Sequence, residues 1–183
     1  MMRTRLLTLS AAAVAVAAAG ATMSRAQQRR RRSRALTIPP ALAREHESLH
    51  RQLAAAIAAG GRTGAAAREV EARLAPHFDE ENRLALPALG VLTQLATRGA
   101  SEEMRPAIEM AEHVEQNLER FAEEHRLITE ALDDLESAAE AEGNEEALRF
   151  GAELRSHTRE AEDVLYPTMI LIGRYLQHEL GER

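Results

Sequence analysis

The sequence predicts an all-α protein, an antiparallel four-helix bundle. Ala, Leu, Glu and Arg are abundant while aromatics make up only 3% of the 183 residues, a composition that favours helix over sheet. From residue 41 onward, apolar side chains recur every three to four positions, the period of a half-buried helix. Glycines at 60–61, 99, 143 and 181 cut that pattern into four long segments with short joints, as an up-down bundle requires.

The first segment follows Pro39-Pro40, since Pro suits a first helical turn. It spans Ala41 to Ala59, with Leu42, Leu49, Leu53 and Ile57 on one face, and Gly60-Gly61 ends it. Thr63 is placed to cap the second helix, which carries Val70, Leu74, Phe78, Leu84, Leu89, Val91, Leu92 and Leu95 as far as Gly99. Pro76 and Pro87 each remove a backbone donor and are expected to kink it. Ser101-Glu102-Glu103 reads as the start of the third segment, periodic from Ala107 to about Ala141 and broken by Gly143. The fourth runs from Glu145 to Leu180, kinks near Pro167 and closes at Gly181. The two halves echo one another. Each has a Glu-His pair in its first helix and, in its second, a His followed ten residues later by Pro.

Composition narrows the chemistry. Cys and Lys are both absent, which excludes thiolate metal sites, thiol nucleophiles, Schiff bases and a phosphate-binding loop lysine. Eight of the 23 basic residues fall in residues 1–34, which hold no acid, so the remainder carries all 29 acids. So acidic a body is unsuited to nucleic acid. At the N-terminus, Arg3 and Arg5 precede an apolar run from Leu6 to about Thr22, and small residues follow. Residues 1–26 thus read as a secretory signal peptide. Residues 27–38 read as a disordered Arg-rich linker and residues 39–183 as the helical domain. An exported protein is expected, or a cytoplasmic one if the segment does not direct export. Membrane contact is expected only through that segment if it stays uncleaved.

The histidines carry the functional signal. His46 and His50 are four apart and share a face of the first helix, and His77 and Glu81 do the same on the second. His125 follows Glu123-Glu124 on the third helix, and His157 precedes Glu160 and Glu162 on the fourth. His46 lies 15 residues before Gly61 and His77 lies 16 after it; His125 lies 18 before Gly143 and His157 lies 14 after it. In antiparallel hairpins these spacings bring all four to one level. Imidazoles and carboxylates converging inside a bundle form a cation site, and without thiolates the donors suit iron best, then manganese or zinc. His113 and His178 fall away from this level and are expected at the surface. Tyr166 and Tyr175 have the chemistry to shuttle electrons near an iron site, but a Tyr near a helix kink reads rather as a packing residue with its hydroxyl exposed.

Four motifs carry a family resemblance: EHESLH at 45–50, HFDEENRLALPALG from His77, EEHRLITEAL around His125 and HTREAEDVLYPTMILIG from His157. In this order, over residues 41–176, they resemble the hemerythrin-like, or HHE cation-binding, domain proteins. The resemblance implies two non-haem irons held by five His and two bridging carboxylates, with reversible binding of dioxygen or a related diatomic ligand. It implies a ligand set of His46, His50, His77, Glu81, His125, His157 and Glu162. Glu162 stands where the family has Asp, and the His pair that the family has on its third helix is found here on the first. Five positions along a helix place Glu162 about 140° round from His157, so Glu160 and Asp163 are its substitutes. The implied role is oxygen sensing, storage or protection rather than catalysis. Two other functions compete. A ferritin-like di-iron oxidase would use Glu47-Ser48-Leu49-His50 as a Glu-x-x-His motif, but needs that motif twice. A metal-free helical interaction module needs no histidines at all.

Overall fold

The computed structural model describes residues 36–181. The expected signal peptide, and the linker up to residue 35, lie outside the described residues. Leu36 and Ile38, at the end of the expected linker, pack against the helical core.

The described residues form four long helices. Helix α1 is Pro40–Ala58. Helix α2, residues 61–98, is composite: α-helical over Gly61–Glu80, π-helical over Glu81–Ala85, 3-10 over Leu86–Val91 and α-helical again over Leu92–Arg98. A 3-10 turn at Glu102–Met104 leads into α3, Pro106–Glu142. Helix α4, residues 145–180, is α-helical over Glu145–Glu160, π-helical over Ala161–Leu165 and α-helical over Tyr166–Leu180. Helix α1 packs on α2 and α4, and α3 packs on the same two, which is the cyclic neighbour pattern of an antiparallel bundle. None of the described helices is long and apolar enough to cross a membrane.

The two π-helical turns have a common cause. Pro87 and Pro167 lack an N–H, so the carbonyls of Arg83 and Asp163 lose their α-helical donors. The backbone re-registers ahead of each proline: the Leu86 N–H reaches the Glu81 carbonyl, and the Tyr166 N–H reaches that of Ala161. Both are bonds of π-helical spacing. Pro76, by contrast, lies within an uninterrupted α-helical stretch.

The joints differ in one respect from expectation. Thr63 does not cap α2. The helix starts at Gly61, after Gly60 with φ of 70°, and its cap comes from the far end of α3. The Glu142 carboxylate accepts from the Arg62 N–H at 2.8 Å, from the Thr63 N–H at 3.0 Å and from the Thr63 hydroxyl at 2.7 Å. A β-carbon at Gly61 would meet that carboxylate at 2.7 Å, so glycine is needed for the approach. The α3–α4 joint is local: Gly143 is left-handed and the Asn144 side chain accepts from the Ala147 N–H at 3.0 Å, an ordinary N-cap.

The core is split in two. One apolar cluster contains Leu49, Leu53, Leu74, Phe78, Ile128, Leu132, Phe150 and Leu154. The other contains Leu86, Met104, Ile108, Val114, Phe121, Tyr166, Met169 and Leu176. Between them lies a polar layer of His46, His77, Glu81, His125 and His157, each at most 3% exposed.

The Glu142 cap yields a pH test. Hydrogen bonds from Thr63, then the Arg62 N–H, hold this carboxyl down at about 2 against an ordinary 4.5. A carboxyl depressed in the folded state stabilises it fully above the unfolded value and loses that effect as pH falls through the folded one. Glu142→Gln is therefore expected to melt below the parent at neutral pH, with the gap narrowing between pH 4.5 and 2. A gap that stays constant over that range contradicts the assignment.

Candidate metal centre

The polar layer is built from outside inward. Each of its four imidazoles has an acceptor at Nδ1. His46 Nδ1 meets Asn82 Oδ1 at 3.0 Å, His77 Nδ1 meets Glu124 Oε2 at 2.8 Å, His125 Nδ1 meets Glu162 Oε1 at 2.8 Å and His157 Nδ1 meets Glu45 Oε1 at 3.2 Å. An acceptor at Nδ1 draws the ring proton there and turns the Nε2 lone pair toward the bundle axis. Solvent reaches the outer edge of this ring. Clefts of about 190 and 280 Å³ run to His77 beside Glu124 and to His125 beside Glu162.

Glu81 occupies the centre, with no exposed surface. Its Oε2 lies 3.6 Å from His46 Nε2, 3.7 Å from His77 Nε2 and 3.8 Å from His157 Nε2. Its Oε1 accepts a hydrogen bond of 2.7 Å from the Tyr166 hydroxyl. His125 Nε2 lies 3.0 Å from His77 Nε2 and 3.4 Å from the same hydroxyl. Phe78 stacks on His46 at 4.0 Å, while Phe121 and Tyr166 close the opposite side.

Electrostatics follow from this enclosure. Burial alone would raise the Glu81 carboxyl, but the facing His157 and His77 and the Tyr166 hydroxyl outweigh it and hold it at about 2. Burial pushes His46 down to about 4, aided by His157 and opposed by Glu81. Burial, then His77, lowers His125. His157 is raised, because Glu81 and Glu45 overcome its burial. Burial, then the Glu81 charge, raises the Tyr166 phenol, so it remains a hydrogen-bond donor.

Three atoms in this layer are buried without any hydrogen-bond partner: His46 Nε2, His157 Nε2 and Glu81 Oε2. Buried polar atoms are almost always paired. Three orphans converging on one spot, two imidazole nitrogens and a carboxylate oxygen, are what a cation would satisfy. Their separations of 3.6 and 3.8 Å suit donors each about 2 Å from one ion. A second set, His77, Glu81 and His125, converges in the same way, and in each set the donor atoms lie within 4.8 Å of one another. The layer can therefore coordinate one or two metal ions, with Glu81 common to both sets.

The structure brings together His46, His77, Glu81, His125 and His157 from the expected ligands. It places the other two elsewhere. His50 is exposed on α1, its ring edge-on to Phe78 at 5.3 Å, outside both donor sets. Glu162 stands at the outer rim on His125 Nδ1, with its side chain 45% exposed. Glu47 points to solvent and pairs with Arg51 at 3.0 Å, so Glu47 and His50 do not converge as a ferritin-like pair. His178 is exposed as expected, whereas His113 is half-buried and bonded to Glu80 at 2.8 Å. Tyr175 is exposed, but Tyr166 is not: its hydroxyl is enclosed against Glu81. Local motifs give no sign of Tyr166 or Asn82 as site residues. The repeat offers a signal for both, because a shift of 80 residues carries His77 onto His157, Pro87 onto Pro167, Asn82 onto Glu162 and Leu86 onto Tyr166.

No family model matches the chain, and comparison with curated proteins and with solved structures finds no match either.

Glu81 is the single carboxylate at the centre of both donor sets. Glu81→Gln keeps its volume and removes its charge. Metal bound per chain is expected to fall by at least about tenfold at a limiting ion concentration, with the far-ultraviolet helix signal retained. Undiminished binding, measured by elemental analysis after desalting, contradicts the central role of this carboxylate.

Proposed function

We propose that this chain is a non-haem iron protein of the hemerythrin type, binding two irons in the His/Glu layer and dioxygen or a related diatomic ligand beside them. The observation that carries the reading is the inward presentation of four imidazole Nε2 atoms around one buried carboxylate, each ring fixed from outside. Such a donor set, nitrogen-rich and free of thiolate, suits iron. Bound there, the irons would supply the redox-active open coordination positions at which a diatomic ligand is held.

The protein's own groups would do the rest. Phe78 and Phe121 keep the layer dry, which favours a bound small molecule leaving intact. The inner faces of the rings are enclosed, so only a small ligand fits. The Tyr166 hydroxyl is a hydrogen-bond donor directed into the layer, where it holds Glu81 Oε1 at 2.7 Å. A His-rich layer with one central carboxylate differs from the carboxylate-rich layers of ferritin-like oxidases, and this favours binding over turnover.

The test is iron content and the absorption spectrum of the anaerobically loaded full chain, before and after admitting air. About two irons per chain are expected, with an absorption band that comes with oxygen and goes when oxygen is removed. Irreversible oxidation with continued oxygen consumption would assign an oxidase instead. Failure to take up iron would overturn the reading.

A further inference from the structure

The two donor sets are not equivalent, although the frame that holds them nearly is. A shift of 79 or 80 residues relates His46 to His125, His77 to His157, Glu45 to Glu124 and Asn82 to Glu162. Each member of a pair makes the same kind of contact as its counterpart. Two departures from the correspondence lie at the centre of the layer. Glu81 corresponds to Ala161, and Tyr166 corresponds to Leu86. These two departures meet at the centre, where the Tyr166 hydroxyl donates to Glu81 Oε1 at 2.7 Å.

The consequence is an imbalance between the halves. With Oε1 engaged by Tyr166, Oε2 is left without a partner, facing His46 Nε2 and His157 Nε2, which have none either. Across the layer, His77 Nε2 and His125 Nε2 face each other at 3.0 Å with both lone pairs inward, and the Tyr166 hydroxyl crowds His125 Nε2 at 3.4 Å. An ion entering the first half breaks no hydrogen bond. An ion entering the other half meets the phenol, which lies against His125 Nε2, and must share Glu81 Oε1 with it.

We propose that the two half-sites fill in a fixed order, His46/His157/Glu81 before His77/His125/Glu81, and that Tyr166 is the positioning residue that sets the order by clamping Glu81 Oε1. This rests on the metal reading above and adds to it an order and a determinant. Tyr166 suits the task because its ring is held independently of its hydroxyl. It lies parallel to the His125 ring at 5.8 Å and packs on Phe121 at 5.1 Å. Tyr166→Phe therefore removes the clamp and keeps the packing.

The experiment is a cobalt(II) titration of the full chain, read by visible absorption and by metal retained after desalting. Two successive steps are expected in the parent. His157→Gln should abolish the tighter step, and His125→Gln should abolish only the weaker one. Tyr166→Phe should weaken the tighter step about 10- to 100-fold, the usual effect of losing a group that orients a ligand, and bring the two steps together. Two ions taken up in one step by the parent would leave the metal reading standing and overturn the order. Equal losses in His157→Gln and His125→Gln would do the same. An unchanged first step in Tyr166→Phe, or both steps weakened together alongside a lowered apo melting temperature, would remove Tyr166 from the role. No cobalt uptake by the parent would overturn the metal reading and the order with it.

Discussion

Glu81 is a carboxylate shut away from water in the middle of a helical bundle, and much of the surrounding structure answers that fact. An isolated charge in such a place costs several kcal/mol even after relaxation. Here three imidazole nitrogens face one of its oxygens and a phenol holds the other. The imidazoles are themselves steered from outside, each by an acceptor at Nδ1. The layer is thus a set of nested constraints, running from three outer carboxylates and the Asn82 amide through rings to one central anion. Apolar clusters above and below it carry the stability that such a layer cannot supply, and they keep it free of water.

The frame that delivers these groups follows from two prolines. Pro87 and Pro167 each force a π-helical turn just ahead of them, and each turn begins four residues beyond a His of the polar layer. The turn lets α2 aim Glu81 inward beside His77 and Asn82 sideways to His46. In α4 the same turn brings small Ala161 to the position of Glu81 and sends Glu162 sideways to His125. One local device, used twice, therefore makes a ring of near twofold symmetry, and residue identity alone breaks that symmetry at the centre.

The same device decides what is legible in the sequence. Counting from the glycine joints places the four histidines at one level, because regular helices convert residue number into height. Glu81 follows from its i,i+4 relation to His77. Glu162 is implied as a ligand only by the family resemblance; a regular-helix count puts it about 140° round from His157, and in the structure it stands at the rim on His125. His50 reads as a ligand because it shares a face with His46, but one further turn carries it to the solvent side of Phe78. The hydroxyl of Tyr166 and the cap on α2 are hidden for a different reason. Both depend on partners at least 79 positions away, Glu81 for Tyr166 and Glu142 for Thr63, and local pattern does not encode such pairings. The internal repeat is visible in the sequence, yet only its full 80-residue alignment relates Asn82 to Glu162 and shows where the two halves diverge.

The most direct test of the central claim is anomalous diffraction at the metal edge from crystals of the iron-loaded protein. The account predicts density enclosed by His46, His157 and Glu81, with a second peak between His77, His125 and Glu81 at full loading. Metal found only at the exposed carboxylates of the rim, or a layer that stays closed around Glu81 with no metal in it, would contradict it.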